Sequence, residues 1–314
     1  MKVGFIGLGN VGSKLANTLL KKDVDLTVLD KNKEILDQFK KSGAKISKTP
    51  KDIAKNNELI ITCLPSPKIS SEVIESKNGI IEGLSKGKIW LEMSTTDSSE
   101  VIRLGKIFES LECSSLDAPV SGGCHRAATG NISIFVGGNK DIFNSILPIL
   151  SIMGKDIIYT GKLGSASILK VITNFLASTH LVALGEALMV AKKSNIDLDV
   201  AYKAIKSSSG NSFVHETESQ VILNGSYKID FTMDLVLKDI NLFNELSKLY
   251  NIPTEISSLL IKIFNEGSLK YGKRAWSSMI VKRIEDHCNV DLRAKGYPAE
   301  LIDKEIESQG IQIK

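Results

Sequence analysis

Short apolar runs separated by amphipathic stretches fill the first half of the chain. The first run, KVGFI (2–6), predicts a strand that is buried on both faces. Further strands are predicted at 25–30, 58–65 and 88–93, and near 112–117, 132–136 and 157–160. Strands that alternate with helices in this way are typical of a doubly wound α/β sheet, whose ligands bind outside the carboxyl ends of the strands.

The spacing of the apolar positions changes after Gly161. From Ser165 to Lys193 they recur every three or four residues, which predicts a single helix of roughly 40 Å. More helices are predicted at 197–207, 213–223, 234–250, 253–267 and 275–288. The pattern therefore predicts an α/β protein with an N-terminal Rossmann domain at 1–162 and an all-helical C-terminal domain at 163–314. The long helix would join the two domains.

Composition narrows the classes of partner. The 314 residues are 42% apolar and 24% charged with a net charge of +4, which is ordinary for a soluble globular protein. No cluster of basic residues interleaved with aromatics is present, so we expect no nucleic-acid partner. The four cysteines and four histidines are dispersed without the spacing of a metal site, so we expect free thiols and no metal.

Two further features predict a cytoplasmic protein with no membrane partner. The opening MKVGFIGLGN lacks the apolar core of a signal peptide because glycines interrupt it. The longest apolar region, around 166–192, contains Lys170, Asn174, His180 and Glu186, and so suits a buried helix better than a membrane span.

A glycine-rich turn follows the first strand and predicts a dinucleotide site. The turn consists of Gly7, Leu8, Gly9, Asn10, Val11 and Gly12, and a helix follows it. The first glycine allows the tight turn, the second a close approach of the backbone to a pyrophosphate, and the third the packing of helix on strand. The helix N-terminus favours the phosphate charge. Asp30 ends the second strand, eighteen residues after Gly12, where a carboxylate would bind a ribose hydroxyl.

Two later segments are further cofactor candidates. The strand at 58–65 ends with Leu64 and Pro65, where neither a helix nor further strand pairing can continue. Thr95 lies in the group Ser94-Thr95-Thr96-Asp97 after the strand at 88–93. That group is interpreted as a helix N-cap, as hydroxyls that face the nicotinamide half of a cofactor, or as both.

Two segments contain residues that are candidates for binding a substrate or reacting with it. The loop DAPVSGGCHRAATG (117–130) combines two adjacent glycines with Ser121, His125 and Arg126, which is unusual for a plain surface loop. Lys170 lies in the first turns of the long helix, and Asn174 follows four residues later on the same face. The spacing equally allows a lysine whose stem packs while its ammonium reaches water, so spacing alone leaves both interpretations open.

These motifs together resemble the β-hydroxyacid dehydrogenase family over nearly the whole chain. The resemblance is carried by KVGFIGLGNVGSKLANTLL, DAPVSGGCHRAATG, KVITN and LKDI, in that order. It implies that Ser121, Gly122 and Gly123 bind a substrate carboxylate, and backbone donors in glycine segments do form anion sites. It also implies that Lys170 is the general acid/base, that Asn174 orients the substrate and that Lys238 lies against the cofactor. The family usually has two adjacent asparagines after the lysine, whereas the first position here is Thr173, which affects substrate identity more than chemistry.

The expected activity is hydride transfer between a nicotinamide cofactor and a small 3-hydroxy acid or semialdehyde. An efficient lysine base needs a pKa below the usual ~10.4. We expect NAD because Asp30 would repel a 2′-phosphate, although Lys31 leaves NADP open. The helical domain predicts a homodimer or homotetramer.

Three alternatives share the fold. An imine reductase and a non-catalytic cofactor-binding module generally lack the lysine, and 6-phosphogluconate dehydrogenase is longer and binds a phosphate. The identity of the hydroxy acid, or of a sulfonate analogue, is left open, and the tail from residue 291 has no predicted role beyond covering a subunit surface.

Overall fold

The computed structural model describes residues 1–313, which form two compact units. The first unit contains residues 1–170 and the segment from 303 onward, and the second contains Val171–Ile302. The predicted domains, 1–162 and 163–314, differ from these units in two places. Residues 163–170 belong to the first unit because a carboxylate of its sheet binds the start of the long helix. The last segment belongs there because it adds a strand to that sheet.

The first unit is a layered α/β structure. Its strands are β1 (Val3–Ile6), β2 (Leu26–Leu29), β3 (Lys45–Ile46), β4 (Leu59–Thr62), β5 (Ile89–Glu92), β6 (Ser114–Asp117), β7 (Val120–Ser121), β8 (Ser133–Gly138), β9 (Asp156–Gly161) and β10 (Ile311–Ile313). Its helices are α1 (Gly12–Lys21), α2 (Lys33–Lys41), α3 (Pro50–Asn56), α4 (Pro67–Glu75), α5 (Ser98–Ser110), α6 (Cys124–Thr129) and α7 (Lys140–Met153).

The strands form one sheet in the order β10-β9-β8-β6-β5-β4-β1-β2-β3, and β7 pairs with β8. The part from β6 to β3 is parallel throughout and has the strand order of a dinucleotide-binding domain. The order reverses between β1 and β4, so the carboxyl ends of these two strands define the crevice where such domains bind ligands. β8 runs antiparallel to β6 and begins an extension that β9 and β10 continue.

The strands are nearly all apolar because helices cover both faces of the sheet. Successive side chains of a strand point to opposite faces. Phe5 therefore packs in a cluster with Leu15 of α1, whereas Trp90 packs in a second cluster, where its ring is stacked on Phe108 of α5 at 4.9 Å between centroids. All four side chains are fully buried, and each contributes about 1.5–3 kcal/mol or more to the free energy of unfolding. The predicted Rossmann fold is confirmed.

The long helix α8 (Ser165–Lys193) begins in the first unit and continues into the second. Its length and apolar composition would also allow it to cross a membrane, so the prediction that it is too polar for this was too strict. A core helix passes the same test, and Leu181, Leu184 and Leu188 do pack in the apolar core of the second unit.

The second unit is helical, as predicted. It contains the rest of α8, α9 (Leu198–Lys206), α10 (Phe213–Asn224), α11 (Met233–Leu249), α12 (Glu255–Tyr271) and α13 (Lys282–Cys288). The predicted helix at 275–288 is wrong at its start. Trp276 forms a β-bridge with Thr232, and the amide of Ser277 donates to the carbonyl of Phe231, so a 3₁₀ turn at Ser277–Val281 precedes α13.

Candidate active site

The glycine-rich turn between β1 and α1 has a backbone that only glycines allow. Gly7 has a φ of +98°, and a Cβ there would lie 2.3 Å from the carbonyl oxygen of Cys63. A Cβ on Gly12 would lie 2.1 Å from the carbonyl oxygen of Gly7. A Cβ on Gly9 would meet no atom within 4 Å, so this side of the turn is open to a ligand.

The start of α1 suits an anionic ligand. Val11 occupies the N-cap position, and no side chain caps this helix, whereas α2, α3 and α4 are capped by Asn32, Thr49 and Ser66. The amides of Ser13 and Lys14 donate to the carbonyls of Gly9 and Val11, and the pyrophosphate of a dinucleotide would take the place of the missing side-chain cap. Leu8 and Asn10 complete the turn.

Asp30 holds the glycine turn from the end of the neighbouring strand β2. Its Oδ2 accepts a hydrogen bond from the amide of Leu8 at 2.6 Å, and its Oδ1 accepts one from the amide of Asn32 at 2.7 Å. Each carboxylate oxygen can accept a second bond, so the ribose hydroxyls remain possible partners. Lys31, the next residue, is exposed.

A buried chain of hydrogen bonds positions the loops after β4 and β5. The amide of Leu64 donates to Oγ of Ser94 at 2.7 Å, and the amide of Ser94 donates to Oε1 of Glu92 at 2.8 Å. Burial raises the pKa of Glu92, against the opposing effect of the hydrogen bonds from Ser94. Leu64, Pro65 and Thr95 thus follow the carboxyl ends of two adjacent strands.

The helix that follows Thr95 has its own cap. Asp97 is the N-cap of α5, because its Oδ1 accepts from the amide of Ser99 at 2.8 Å. The N-cap interpretation of residues 94–97 therefore holds for Asp97, and Thr95 lies two residues before that cap.

The loop from β7 into α6 has the backbone that its two glycines suggest. Ser121 ends β7, which pairs antiparallel with β8. Gly122 and Gly123 have φ values of +129° and +89°, a region that residues with a side chain avoid. Burial is the main reason why the pKa of His125 lies below its usual value, so this ring is neutral at pH 7 and supplies no positive charge to the loop.

Asp117 connects this loop with the helix that carries Lys170. It ends β6, is completely buried, and accepts hydrogen bonds from the amides of Gly164 and Ser167 at 2.8 and 2.7 Å. Burial raises the pKa of its carboxyl, against the effect of these bonds. Asp117 was not predicted as a site residue from the sequence, although a strand-terminal acid four residues before Ser121 was a usable signal.

Lys170 and Asn174 lie one turn apart on α8. Lys170 belongs to the first unit and is only 8% exposed. In the second unit, Nδ2 of Asn174 donates to Oδ2 of Asp239 at 2.6 Å, and Nζ of Lys238 lies 2.8 Å from Oδ1 of the same carboxylate. The buried Asp239 therefore connects two predicted site residues. Asp239 was not predicted as a site residue from LKDI, although it is the next residue after Lys238.

Comparison with known proteins identifies the fold and the class. Residues 2–161 match the family model described as the NAD binding domain of 6-phosphogluconate dehydrogenase. Residues 164–284 match the model described as NAD-binding of NADP-dependent 3-hydroxyisobutyrate dehydrogenase. The chain is 32% identical over 285 residues to mitochondrial 3-hydroxyisobutyrate dehydrogenase of Rattus norvegicus, covering 88% of this chain and 85% of the rat protein.

Two further relatives agree. The chain is 30% identical over 282 residues to 2-(hydroxymethyl)glutarate dehydrogenase of Eubacterium barkeri, covering 89% of this chain and 94% of that protein. A crystal structure of 3-hydroxyisobutyrate dehydrogenase from Salmonella typhimurium superposes with a TM-score of 0.81 at 25% identity, covering 90% of this chain and 99% of that one.

The fold, the glycine turn and these matches define a nicotinamide-dependent dehydrogenase of hydroxy acids. The chain belongs to the β-hydroxyacid dehydrogenase family, as its motifs suggested. The prediction of a nicotinamide cofactor is confirmed, without a distinction between NAD and NADP.

Proposed function

We propose that the protein transfers hydride between a nicotinamide cofactor and the terminal alcohol or aldehyde carbon of a small 3-hydroxy acid, with Lys170 as the general acid/base. The bound cofactor would supply the hydride chemistry. In oxidation, neutral Lys170 would accept the hydroxyl proton of the substrate, and in reduction its ammonium would donate that proton. No metal is needed for this proton transfer, and residues 1–313 contain no group of three or more His, Cys, Asp and Glu that could hold one.

The buried position of Lys170 supports this proposal most directly. A lysine that is only 8% exposed is exceptional, because its charged form loses hydration. A structural lysine that snorkels to water would leave its ammonium exposed. Asn174 lies on the same helix face, and its amide is oriented by Asp239, which fixes the direction of its remaining hydrogen-bonding group. An imine reductase would generally replace this lysine by another proton donor.

The remaining residues would bind the two ligands. Gly7 to Gly12 and Asp30 would bind the pyrophosphate and a ribose, and Leu64, Pro65, Thr95 and Lys238 would line the nicotinamide half. Ser121, Gly122 and Gly123 would bind the substrate carboxylate. A panel of C3–C5 hydroxy acids, semialdehydes and sulfonate analogues, assayed with both cofactors, tests the proposal. Turnover of none of them by a protein that binds the cofactor would reject it.

Replacement of Ser121 by alanine is expected to raise the KM for a hydroxy acid about tenfold and to leave kcat nearly unchanged. A hydrogen bond to a charged group is worth about 1.5–3 kcal/mol, and its loss affects binding of the ionised substrate. Initial-rate kinetics measures the change, and Ser133→Ala, on the paired strand, is the control. An uncharged ester should be a poor substrate of the unmodified protein, so an ester that matches the acid contradicts a carboxylate site.

We also expect the protein to form a homodimer or homotetramer. Large apolar side chains of the second unit are exposed, among them Val190 (67%), Leu259 (56%) and Leu269 (86%). Light scattering at micromolar concentration should give a mass of two or four chains. Leu259→Glu with Leu269→Glu should lower that mass, whereas Leu111→Glu in the first unit should not. A monomeric unmodified protein contradicts the expectation.

A further inference from the structure

The segment after residue 302 lies beyond the residues that match the family models, and it makes a set of contacts within the first unit. We call residues 303–313 the strap. At its far end, β10 pairs parallel with β9, in the register Ile311 to Asp156. Just before it, the amide of Gly310 donates to the carbonyl of Ser151 at 2.9 Å. A Cβ at Gly310 would lie 1.9 Å from the carbonyl oxygen of Gly154, so the backbone fits closely here.

At its near end, the strap binds the last turn of α6, the helix that follows the Ser121-Gly122-Gly123 loop. Oδ2 of Asp303 accepts hydrogen bonds from the hydroxyl of Thr129 and from Nδ2 of Asn131, the latter at 2.7 Å. Asn131 is completely buried, and Nδ2 also donates to the carbonyl of Glu305 at 3.2 Å. The strap therefore satisfies the donor side of a buried amide that would cost free energy if left unpaired.

Glu305 attaches the same helix to the edge of the sheet. One carboxylate oxygen accepts from the guanidinium of Arg126 in α6, and the other accepts from Nζ of Lys155 at 2.8 Å. Lys155 directly precedes β9, the strand that pairs with β10. The Glu305 side chain therefore connects α6 with the start of β9. The charges are complementary, because the Glu305 carboxylate lies between two bases of the unit, Arg126 and Lys155.

The loop Ser121-Gly122-Gly123, which we call the substrate loop, runs directly into α6. Gly123 is the N-cap of α6, and its carbonyl accepts the first helical hydrogen bond, from the amide of Ala127 at 3.1 Å. Gly122 and Gly123 have no side chains of their own to restrain them, and a six-residue helix is too short to be rigid by itself. Contacts at the far end of α6 therefore affect the amides that precede it.

We propose that the strap positions the substrate loop, with Asp303 and Glu305 as the positioning residues that keep Ser121, Gly122 and Gly123 in the geometry that binds the anionic group of the substrate. The proposal rests on the proposed function in one respect, the role of this loop in carboxylate binding. Neither acid touches the substrate, so the effect should be on loop order and substrate affinity and not on proton transfer.

The test uses the full chain with Asp303→Asn and Glu305→Gln combined. We expect amide hydrogen exchange of residues 122–131 to accelerate at least tenfold, the KM for the hydroxy acid to rise about fivefold, and kcat and the cofactor Kd to stay within twofold. The matched control is Glu300→Gln with Glu112→Gln, which removes two exposed ion pairs, to Lys228 and Lys86, outside both the strap and α6. The control should behave like the unmodified protein.

A second variant, Thr129→Val, removes the hydrogen bond to Asp303 from the α6 side and leaves the strap unchanged. It provides the test if the double variant folds poorly. Its effect on KM should be smaller when Asp303 is already asparagine, because the two residues share one hydrogen bond. Unchanged exchange in the double variant overturns the proposal. Raised exchange with an unchanged KM also overturns it, and Ser121→Ala, measured in the same assay, then shows whether the carboxylate site itself is wrong.

Discussion

Lys170→Ala is expected to lower kcat at least 10²–10⁴-fold, the range typical for loss of a general acid or base. Lys170 would act on the proton of the substrate hydroxyl, so the cofactor Kd, measured by fluorescence titration, should change less than twofold. Lys170→Arg should be almost as inactive, because a guanidinium stays protonated and cannot accept the proton.

Lys192→Ala is the control for this prediction. It removes a lysine from the last turn of the same helix, far along the chain from the proposed site, and should keep full activity. The assignment of Lys170 is wrong if Lys170→Ala keeps more than a tenth of the unmodified kcat. A large loss of cofactor affinity in the same variant would instead indicate a structural role for this lysine.

The Rossmann part of the fold was predictable because its signals are local. Each parallel strand is a short run that is apolar on both faces, and the glycine turn and Asp30 occur at fixed distances from the first strand. The helices after residue 165 were predictable from spacing, except around Trp276. Trp276 forms a β-bridge with Thr232, which is distant in sequence, and this bridge determines where the helix begins. A local sequence pattern does not indicate such a contact.

The strap could not be predicted for a related reason. The three residues of β10 do not form a distinctive apolar run, and their pairing with β9 joins segments about 150 residues apart. Edge pairing of this kind depends on main-chain hydrogen bonds, which are nearly independent of side-chain type. The acids of the strap, Asp303 and Glu305, have the composition of an ordinary surface tail.

The candidate site was only partly predictable from sequence. Lys170 and Asn174 were singled out by their spacing, but their roles came from the family resemblance and stay predictions. Asp117, Glu92 and Asp239 were missed, because a single acid next to a strand end or a lysine has many explanations in a sequence. Their roles depend on partners that the fold supplies, such as the amides of α8 for Asp117.

We expect the choice between NAD and NADP to depend on Asp30, whose contacts the structure shows. Both of its oxygens already accept backbone hydrogen bonds, from Leu8 in the glycine turn and from Asn32. Its charge is therefore fixed in place beside the turn. A 2′-phosphate a few ångströms away would be repelled by about 1 kcal/mol per charge pair in water and by about 4 kcal/mol at an effective dielectric constant of 20. Since 1.4 kcal/mol is tenfold in affinity, we expect a preference for NAD of tenfold or more.

Asp30→Ser should have two separable effects. The hydrogen bond that Asp30 accepts from Leu8 in the turn is lost and is worth about 1.5–3 kcal/mol, so kcat/KM with NAD should fall about tenfold to a hundredfold. The repulsion is lost too, so kcat/KM with NADP should fall much less, and the preference for NAD should shrink at least tenfold. Asp30→Asn, which keeps one acceptor oxygen and removes the charge, should reduce the preference with a smaller loss of activity with NAD.

The opposing influence is Lys31, which is exposed and adjacent to Asp30. A lysine is a flexible point charge without the planar fork with which arginine binds a phosphate in two places, so we expect the fixed aspartate to dominate. Lys31→Ala should therefore increase the preference for NAD only slightly, by about twofold. The measurement is kcat/KM for both cofactors at one moderate ionic strength, because screening weakens both charges. The preference is wrong if the unmodified protein favours NADP, and Asp30 is not its cause if Asp30→Ser leaves the ratio unchanged.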